Sequence, residues 1–530
     1  MTSRVYRAAC PNCGAPVEFA SAASASAVCS YCRSTLVRDG DALRRIGVVA
    51  ELFDDHSPLR LGAGGTRQGI AFTLVGRLQY AYEGGTWNEW HALFDNGRSA
   101  WLSEDNGAYV LAFDAPLPAD APALDALRAG QHVQADGRAW DVASLTRARL
   151  LSAEGELPAP PRLEGEFLVA DLRNAAGEVA TLDGSDAARP AWSVGRSVLL
   201  AELRLQGLAE TSEKTLAGRT LACPNCGAAL EPRLATTLSL TCSQCRSVVD
   251  ISRGVGAELA HFTQNNAGPG GLEPQIPLGR SGVLAALTPG RAAESWQVVG
   301  YMERCELPAS GDDETTYWRE YLLYHATLGF AFLVDAEDGW SWVRPITGAP
   351  TVRGERADYD GTSFRHRATY DAKVTWVLGE FYWRVQREER ARVSDYEGTG
   401  AGRDKRLSRE ATHGEGASEV VWSAGATLAA ADIGRAFGIA PDKGAAPVHD
   451  VGSFTPSGKG LRTILWLVVL FVFVVAAIGS CDHDECADVK SSFGESSAEY
   501  RQCLAQRGSG TRARTSGGSF GGFGTGGGHK

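Results

Sequence analysis

Short apolar runs separated by turn signals fill most of the chain. Ala71–Leu78, Trp90–Phe94 and Tyr109–Phe113 carry β-branched and aromatic residues. Between and beyond them stand Glu83-Gly84-Gly85, Asp95-Asn96-Gly97, Glu104-Asp105-Asn106-Gly107 and Asp136-Gly137. Asn-Gly and Asp-Gly between apolar runs signal hairpins, because glycine supplies the positive φ that tight turns require. Several such strands in succession predict a mainly β fold, an antiparallel β sandwich or open barrel. Helical periodicity is scarce, and Pro122–Ala129 is the best short helix candidate.

The pattern occurs twice. Phe72-Thr73-Leu74-Val75-Gly76 matches Trp296-Gln297-Val298-Val299-Gly300, and Trp87-Asn88-Glu89-Trp90 matches Trp318-Arg319-Glu320-Tyr321. From Gly97 and Gly329 the copies align without a gap through Gly107 and Gly339 to Val110 and Trp342. Further on, Trp140-Asp141-Val142 aligns with Trp383-Arg384-Val385, Arg147–Arg149 with Arg390–Arg392, and Glu154-Gly155 with Glu397-Gly398. On this alignment the spacing between copies grows from 213 residues at the cysteines to 243 at the glycines, with insertions gathering in loops.

A cysteine motif precedes each copy. Cys10-Pro11-Asn12-Cys13 is followed by Cys29-Ser30-Tyr31-Cys32, and Cys223-Pro224-Asn225-Cys226 by Cys242-Ser243-Gln244-Cys245. Paired C-x-x-C knuckles bring four thiolates onto one tetrahedral ion, so each motif predicts a zinc ribbon with one structural Zn2+. Gly14 and Gly227 follow the second cysteine of their knuckles, where the turn calls for positive φ. A site closed by four thiolates keeps no open coordination position and does not catalyse.

The longest uncharged apolar stretch comes late. Ile464 to Ile478, extended by Thr463, Gly479 and Ser480, reaches the roughly 18 residues at which a helix begins to span a bilayer. Lys459 and Arg462 flank one side, and Asp482, Asp484 and Glu485 the other, so the N-terminal bulk is expected in the cytoplasm and the tail outside the membrane. The cysteines agree with that orientation. Metal-binding thiolates suit a reducing compartment, while Cys486 and Cys503 could form a disulfide outside; Cys481 and its acidic neighbours offer metal binding as the alternative.

These signals divide the chain into zinc ribbon 1 (7–38), β unit 1 (46–207), zinc ribbon 2 (219–252) and β unit 2 (276–437). A linker (438–460), a transmembrane helix (463–480), a short extracytoplasmic segment (481–507) and a Gly-rich tail (508–530) follow. Asn265–Pro277 reads as a linker into the second unit, and Gly398–Gly416, charged and Gly-rich, as a mobile insertion.

The segment Trp87–Trp90, then Gly97–Leu102 and the acidic hairpin Glu104–Gly107, resembles a bacterial domain-of-unknown-function family, number four-one-seven-eight of that series. Trp318–Tyr321, Gly329–Val334 and Glu337–Gly339 repeat it, with Tyr321 for Trp and Val334 for Leu. The resemblance implies no activity. It implies company with membrane and envelope-stress proteins and with polyamine-related enzymes.

Composition narrows the rest. A net charge of −11 disfavours a non-specific nucleic-acid binder, and ribbon 1 offers three arginines (Arg7, Arg33 and Arg38) against Glu18. No H-x-x-x-H or H-E-x-x-H pair and no G-x-S-x-G elbow occurs. Trp87 with Glu89, and Trp318 with Glu320, are the candidate ligand or partner surface, because an aromatic beside a carboxylate can hold a cation such as a polyamine. A core tryptophan with a hairpin-stabilising glutamate is the plainer account of the same pairs. The expectation is a non-enzymatic, membrane-anchored zinc-ribbon scaffold or sensor. A binding or accessory protein for a small cationic metabolite is the first alternative, and zinc-ribbon nucleic-acid binding the second.

Overall fold

The computed structural model describes residues 6–48, 57–208, 221–251, 260–264 and 274–439, less some short stretches inside them, the longest being 285–292 and 308–315. The fold is mainly β. The first repeat contributes β1 (Ile70–Tyr82), β2 (Gly85–Phe94), β3 (Ser99–Asp105), β4 (Ala108–Ala115), β5 (Arg138–Leu157), β6 (Phe167–Arg173), β7 (Glu178–Asp183) and β8 (Ala191–Val198). Their antiparallel pairings run β1-β2-β3-β4-β8-β7-β6-β5 and return to β1, which closes an eight-stranded barrel.

The second repeat builds the same ring. Its strands are β9 (Glu294–Leu307), β10 (Tyr317–His325), β11 (Gly329–Ala336), β12 (Gly339–Ile346), β13 (Thr362–Phe381), β14 (Arg390–Gly398), β15 (Lys405–His413) and β16 (Ala417–Leu428). The order β9-β10-β11-β12-β16-β15-β14-β13 closes on β9. Closure leaves neither ring with the unpaired edge that an open barrel would expose.

Both faces of the strands are covered. Leu78, Tyr80, Trp87, Ala148, Phe167 and Val169 pack together inside the first barrel. Phe72, Leu74, Trp90, Leu102 and Leu111 face outward beneath Leu59, Ala63 and Leu203. The segment Pro122–Ala129 supplies one 3-10 turn, Leu124–Ala126.

The strand registers correct the sequence alignment. Gly76 pairs with Gly155 and Gly300 with Gly379, so β5 corresponds to β13 at a spacing of 224 residues. Trp140 therefore matches Phe364 and not Trp383, and Glu397-Gly398 lies one strand further on, in β14. Leu102 faces Trp90 as Leu333 faces Tyr321, which moves the Gly97–Val110 match by one residue and removes the Val334 departure. Gly398–Gly416 is not an insertion: it contains β15, whose Ser408 and Glu410 point into the barrel. Polar inward residues hid that strand from a hydrophobic pattern.

At each Gly-Gly crossing a long strand bends away from its neighbour. A Cβ on Gly76 would fall 1.9 Å from Glu156 O, and one on Gly300 2.7 Å from Glu380 O, so a side chain there meets backbone. Beyond the crossing, β5 and β13 each take on a ribbon strand: Ser26–Val28 pairs with Gly155–Leu157, and Ser239 and Leu240 with Phe381 and Glu380. Ser144–Thr146 of β5 also pairs with Ala417–Glu419 of β16, which joins the two barrels through the backbone.

No described helix is long and apolar enough to cross a membrane. The linker 438–460 lies outside the described residues except for its first two positions, and the proposed span 463–480, the segment 481–507 and the tail 508–530 lie wholly outside them.

Candidate metal centres and buried charge clusters

The structure brings the eight predicted cysteines together in two sets, Cys10, Cys13, Cys29 and Cys32, and Cys223, Cys226, Cys242 and Cys245. Within each set the four sulfurs lie within 4.8 Å of one another. The separations Cys10–Cys32 and Cys13–Cys29 are 3.6 and 3.7 Å, and Cys223–Cys245 and Cys226–Cys242 are 3.7 and 3.8 Å. A tetrahedron with metal–sulfur bonds near 2.3 Å has edges of about 3.8 Å, so each set could hold one metal ion.

Knuckle geometry follows from the sequence. Gly14 N donates to Cys10 O, and Arg33 N to Cys29 O, with Gly227 and Arg246 doing the same in the second ribbon. All four residues have positive φ, between 56° and 76°, a conformation glycine adopts freely and arginine only under constraint. Ser34 Oγ lies 3.3 Å from Cys32 Sγ, and Ser247 Oγ 3.3 Å from Cys245 Sγ. These hydroxyls, with further polar neighbours, pull both thiols down to about 5, while the sulfurs of their own clusters push Cys13 and Cys226 up to about 12.

The ribbons are tied to the barrels by more than strand pairing. Glu380 on β13 accepts hydrogen bonds from Arg233 N, Leu234 N and Thr237 Oγ1 in the loop between the knuckles of ribbon 2. Val28, which directly precedes Cys29, packs in the first barrel's own core.

Trp87, Glu89, Trp318 and Glu320 are buried, each at 4% exposure or less. The sequence reading offered them as a ligand or partner surface; they lie inside the barrels, where each tryptophan donates its indole N–H to the glutamate two residues on, at 2.9 and 2.7 Å. Period-two alternation had put tryptophan and glutamate on one face, but could not say that the face is interior.

In the second barrel Glu320 belongs to a larger cluster. Arg304 on β9 reaches across the ring to Glu410 on β15 at 2.8 Å, contacts Glu320 at 3.3 Å, and lies over the Trp318 ring at 5.5 Å. One guanidinium cannot balance two buried carboxylates. Burial, opposed by Arg304, pushes Glu320 up to about 7 and raises Glu410 as well. In the first barrel the registers place Tyr80 at the position of Arg304 and Asp183 at that of Glu410, while Glu89 is kept. Tyr80 stacks on Trp87 at 5.1 Å, and burial with Glu89 and Asp183 nearby holds its hydroxyl protonated.

A second duplicated acid escaped the sequence reading. Asp171 on β6 accepts from Thr181 and Ser144, and its counterpart Asp395 on β14 from Ser408 and Tyr370. On the outer face, Glu104 accepts from Asn88, Trp90, Tyr109 and Ser57. Its counterpart Asp335 instead sits 3.7 Å from Arg319, and burial pushes it up to about 7. Correct registers between the copies were the signal that would have found these acids. His91 is held between Glu156 O and Ser99 Oγ, both at 2.9 Å, and burial lowers its pKa.

Comparison with curated proteins gave no match. A family model, the domain of unknown function DUF4178, matches residues 60–200 and again 291–430, the two stretches that form the barrels. Because these matches cover more than half of the 530 residues, the chain belongs to the DUF4178 family, of which it carries two copies in tandem.

Proposed function

We propose that this protein is a non-enzymatic scaffold or sensor in which two structural zinc ions fasten a tandem of barrels, and the late apolar stretch anchors it in a bacterial inner membrane. One observation carries the reading: each four-cysteine cluster resumes directly beside a strand that extends its barrel's sheet, at Cys29 after Ser26–Val28 and at Cys242 after Ser239–Thr241. Zinc is the metal that four thiolates at these separations suit, and when bound it neutralises their charge and locks the knuckles. With four thiolates on each ion, no position is left for water or substrate.

The anchor rests on residues 464–478, which carry no charge, and on the basic and acidic residues to either side. A scaffold of this kind would hold envelope-associated proteins at the cytoplasmic face. A cation site at Trp87 and Glu89 or Trp318 and Glu320 gains little from pairs bonded to one another in closed interiors. Nucleic-acid binding gains little from ribbon 1, where Arg7 is paired with Glu18 at 2.8 Å.

Crosslinking of the full-length protein in native membranes, followed by purification, tests the reading. A defined set of membrane or envelope proteins is expected, and is expected to shrink when Cys226→Ser disrupts ribbon 2. Saturable turnover of any small substrate by the purified protein, or its recovery entirely in the soluble fraction, would overturn it.

A further inference from the structure

Where the two barrels meet, a cleft of about 250 Å³ lies between them. Arg173, at the end of β6, lines it from the first barrel, and Arg409 on β15 from the second, together with Tyr396 and Trp422. The repeat itself does not call for either cation. The registers put Glu397 at the place of Arg173 in the second barrel, and Leu182 at the place of Arg409 in the first. Each arginine thus occurs in one copy and faces the other.

Neither guanidinium has an ion-pair partner among the described residues. Arg173 Nη1 donates to Ile346 O at 3.3 Å, while its Nε is buried with no acceptor. The Arg409 side chain makes no hydrogen bond among the described residues and lies against Gly130, where a Cβ would fall 2.6 Å from Nη2. Asp171 and Glu419 act electrostatically on Arg173, and Asp141 on Arg409; Asp141 lines the same cleft but is bonded to His132. Both arginines are half-buried, and burial lowers their pKa. A half-buried cation without an ion pair gains charge-assisted hydrogen bonds from an incoming oxyanion. Tyr396 and Trp422, with ring centroids 5.7 Å apart and planes tilted by 39°, add an angled aromatic wall.

We propose that this cleft binds a small organic anion, whose carboxylate or phosphate group is held by Arg173 and Arg409 and whose flat body lies against Tyr396 and Trp422. The guanidinium fork suits either oxyanion, and ligand sites favour the seams between domains. The volume falls below the roughly 300 Å³ where drug-sized pockets begin, so the ligand is a compact metabolite. The backbone pairing of β5 with β16 and the bond from Ala349 N to Asn174 O cross the same seam, so the cleft is formed before the ligand arrives.

Calorimetric titration of the full-length protein with phenyl phosphate, benzoate, inorganic phosphate and benzylamine provides the test. Phenyl phosphate, benzoate or both should saturate one site per chain, and benzylamine should neither bind nor compete. Saturation by phenyl phosphate alone marks a phosphate ester as the ligand, and by benzoate alone a carboxylate. Arg409→Gln should weaken binding roughly tenfold or more, through loss of charge-assisted bonds. Arg409→Lys should fall between the two. Leu182→Met, at the matching place in the other barrel, should bind as the natural protein does. Arg409→Gln decides the matter even if Arg173→Gln fails to fold. The proposal is overturned if no organic anion saturates, if inorganic phosphate binds alone, or if Arg409→Gln binds unchanged.

Discussion

Arg304 is the residue on which the second barrel's interior turns. Replacing it with methionine leaves Glu320 and Glu410 buried without a cation, and should lower the unfolding free energy by about 3–5 kcal/mol in urea titrations at pH 8. Tyr80→Phe at the matching place in the first barrel removes no charge and should cost less than about 1.5 kcal/mol. The acids also set a pH dependence. Glu320 titrates near 7 in the fold against about 4.3 in an unfolded chain, so the folded state binds the extra proton. Its contribution to stability is full below about pH 4 and is lost as the pH rises through about 7. Glu320→Gln should therefore be more stable relative to the natural protein at pH 8.5 than at pH 6. An equal difference at the two values would count against the raised pKa. At this scale the sequence disclosed which residues are duplicated, Trp87 with Trp318 and Glu89 with Glu320, but not where they point. Apolar residues cover both faces of these strands, so alternation alone does not mark the interior.

Among the elements, the long strands β5 and β13 connect everything else, since each pairs within its barrel and with a ribbon. Their bends depend on glycine meeting glycine. Gly76→Ala would push a methyl group into Glu156 O and should cost at least about 2–3 kcal/mol by urea denaturation, with loss of ribbon 1's attachment. Glu380→Ala removes the acceptor of bonds from Arg233 N, Leu234 N and Thr237, so hydrogen exchange in that loop should quicken while the first barrel is unchanged. The mainly β class was legible because turn signals and β-branched runs are local. Register was not. Motifs such as Trp-x-Val and Arg-Ala-Arg recur by chance, the former at Trp383 in the connection between β13 and β14, and a slip past the end of β13 finds equally good matches. The strand Lys405–His413 was missed because its inward residues, Ser408 and Glu410, are there to meet Asp395 and Arg304.

For the whole molecule, two closed barrels share a backbone seam, and each carries a four-cysteine cluster on an extension of its sheet. The clusters were the most legible feature of all, because C-x-x-C spacing fixes ligand geometry with little help from the rest of the fold. The cleft between Arg173 and Arg409 was not legible, since it arises from the meeting of two copies and from positions they do not share. Native mass spectrometry of the intact, reduced, metal-replete protein, paired with hydrogen exchange, tests the central claim that the metals hold this architecture. The account predicts two zinc ions per chain. Cys226→Ser should retain one and loosen Ser239–Thr241 with the adjoining end of β13, leaving the first ribbon protected. Fewer than one ion per chain, or loss of the second ion with no change in exchange at β13, would contradict it.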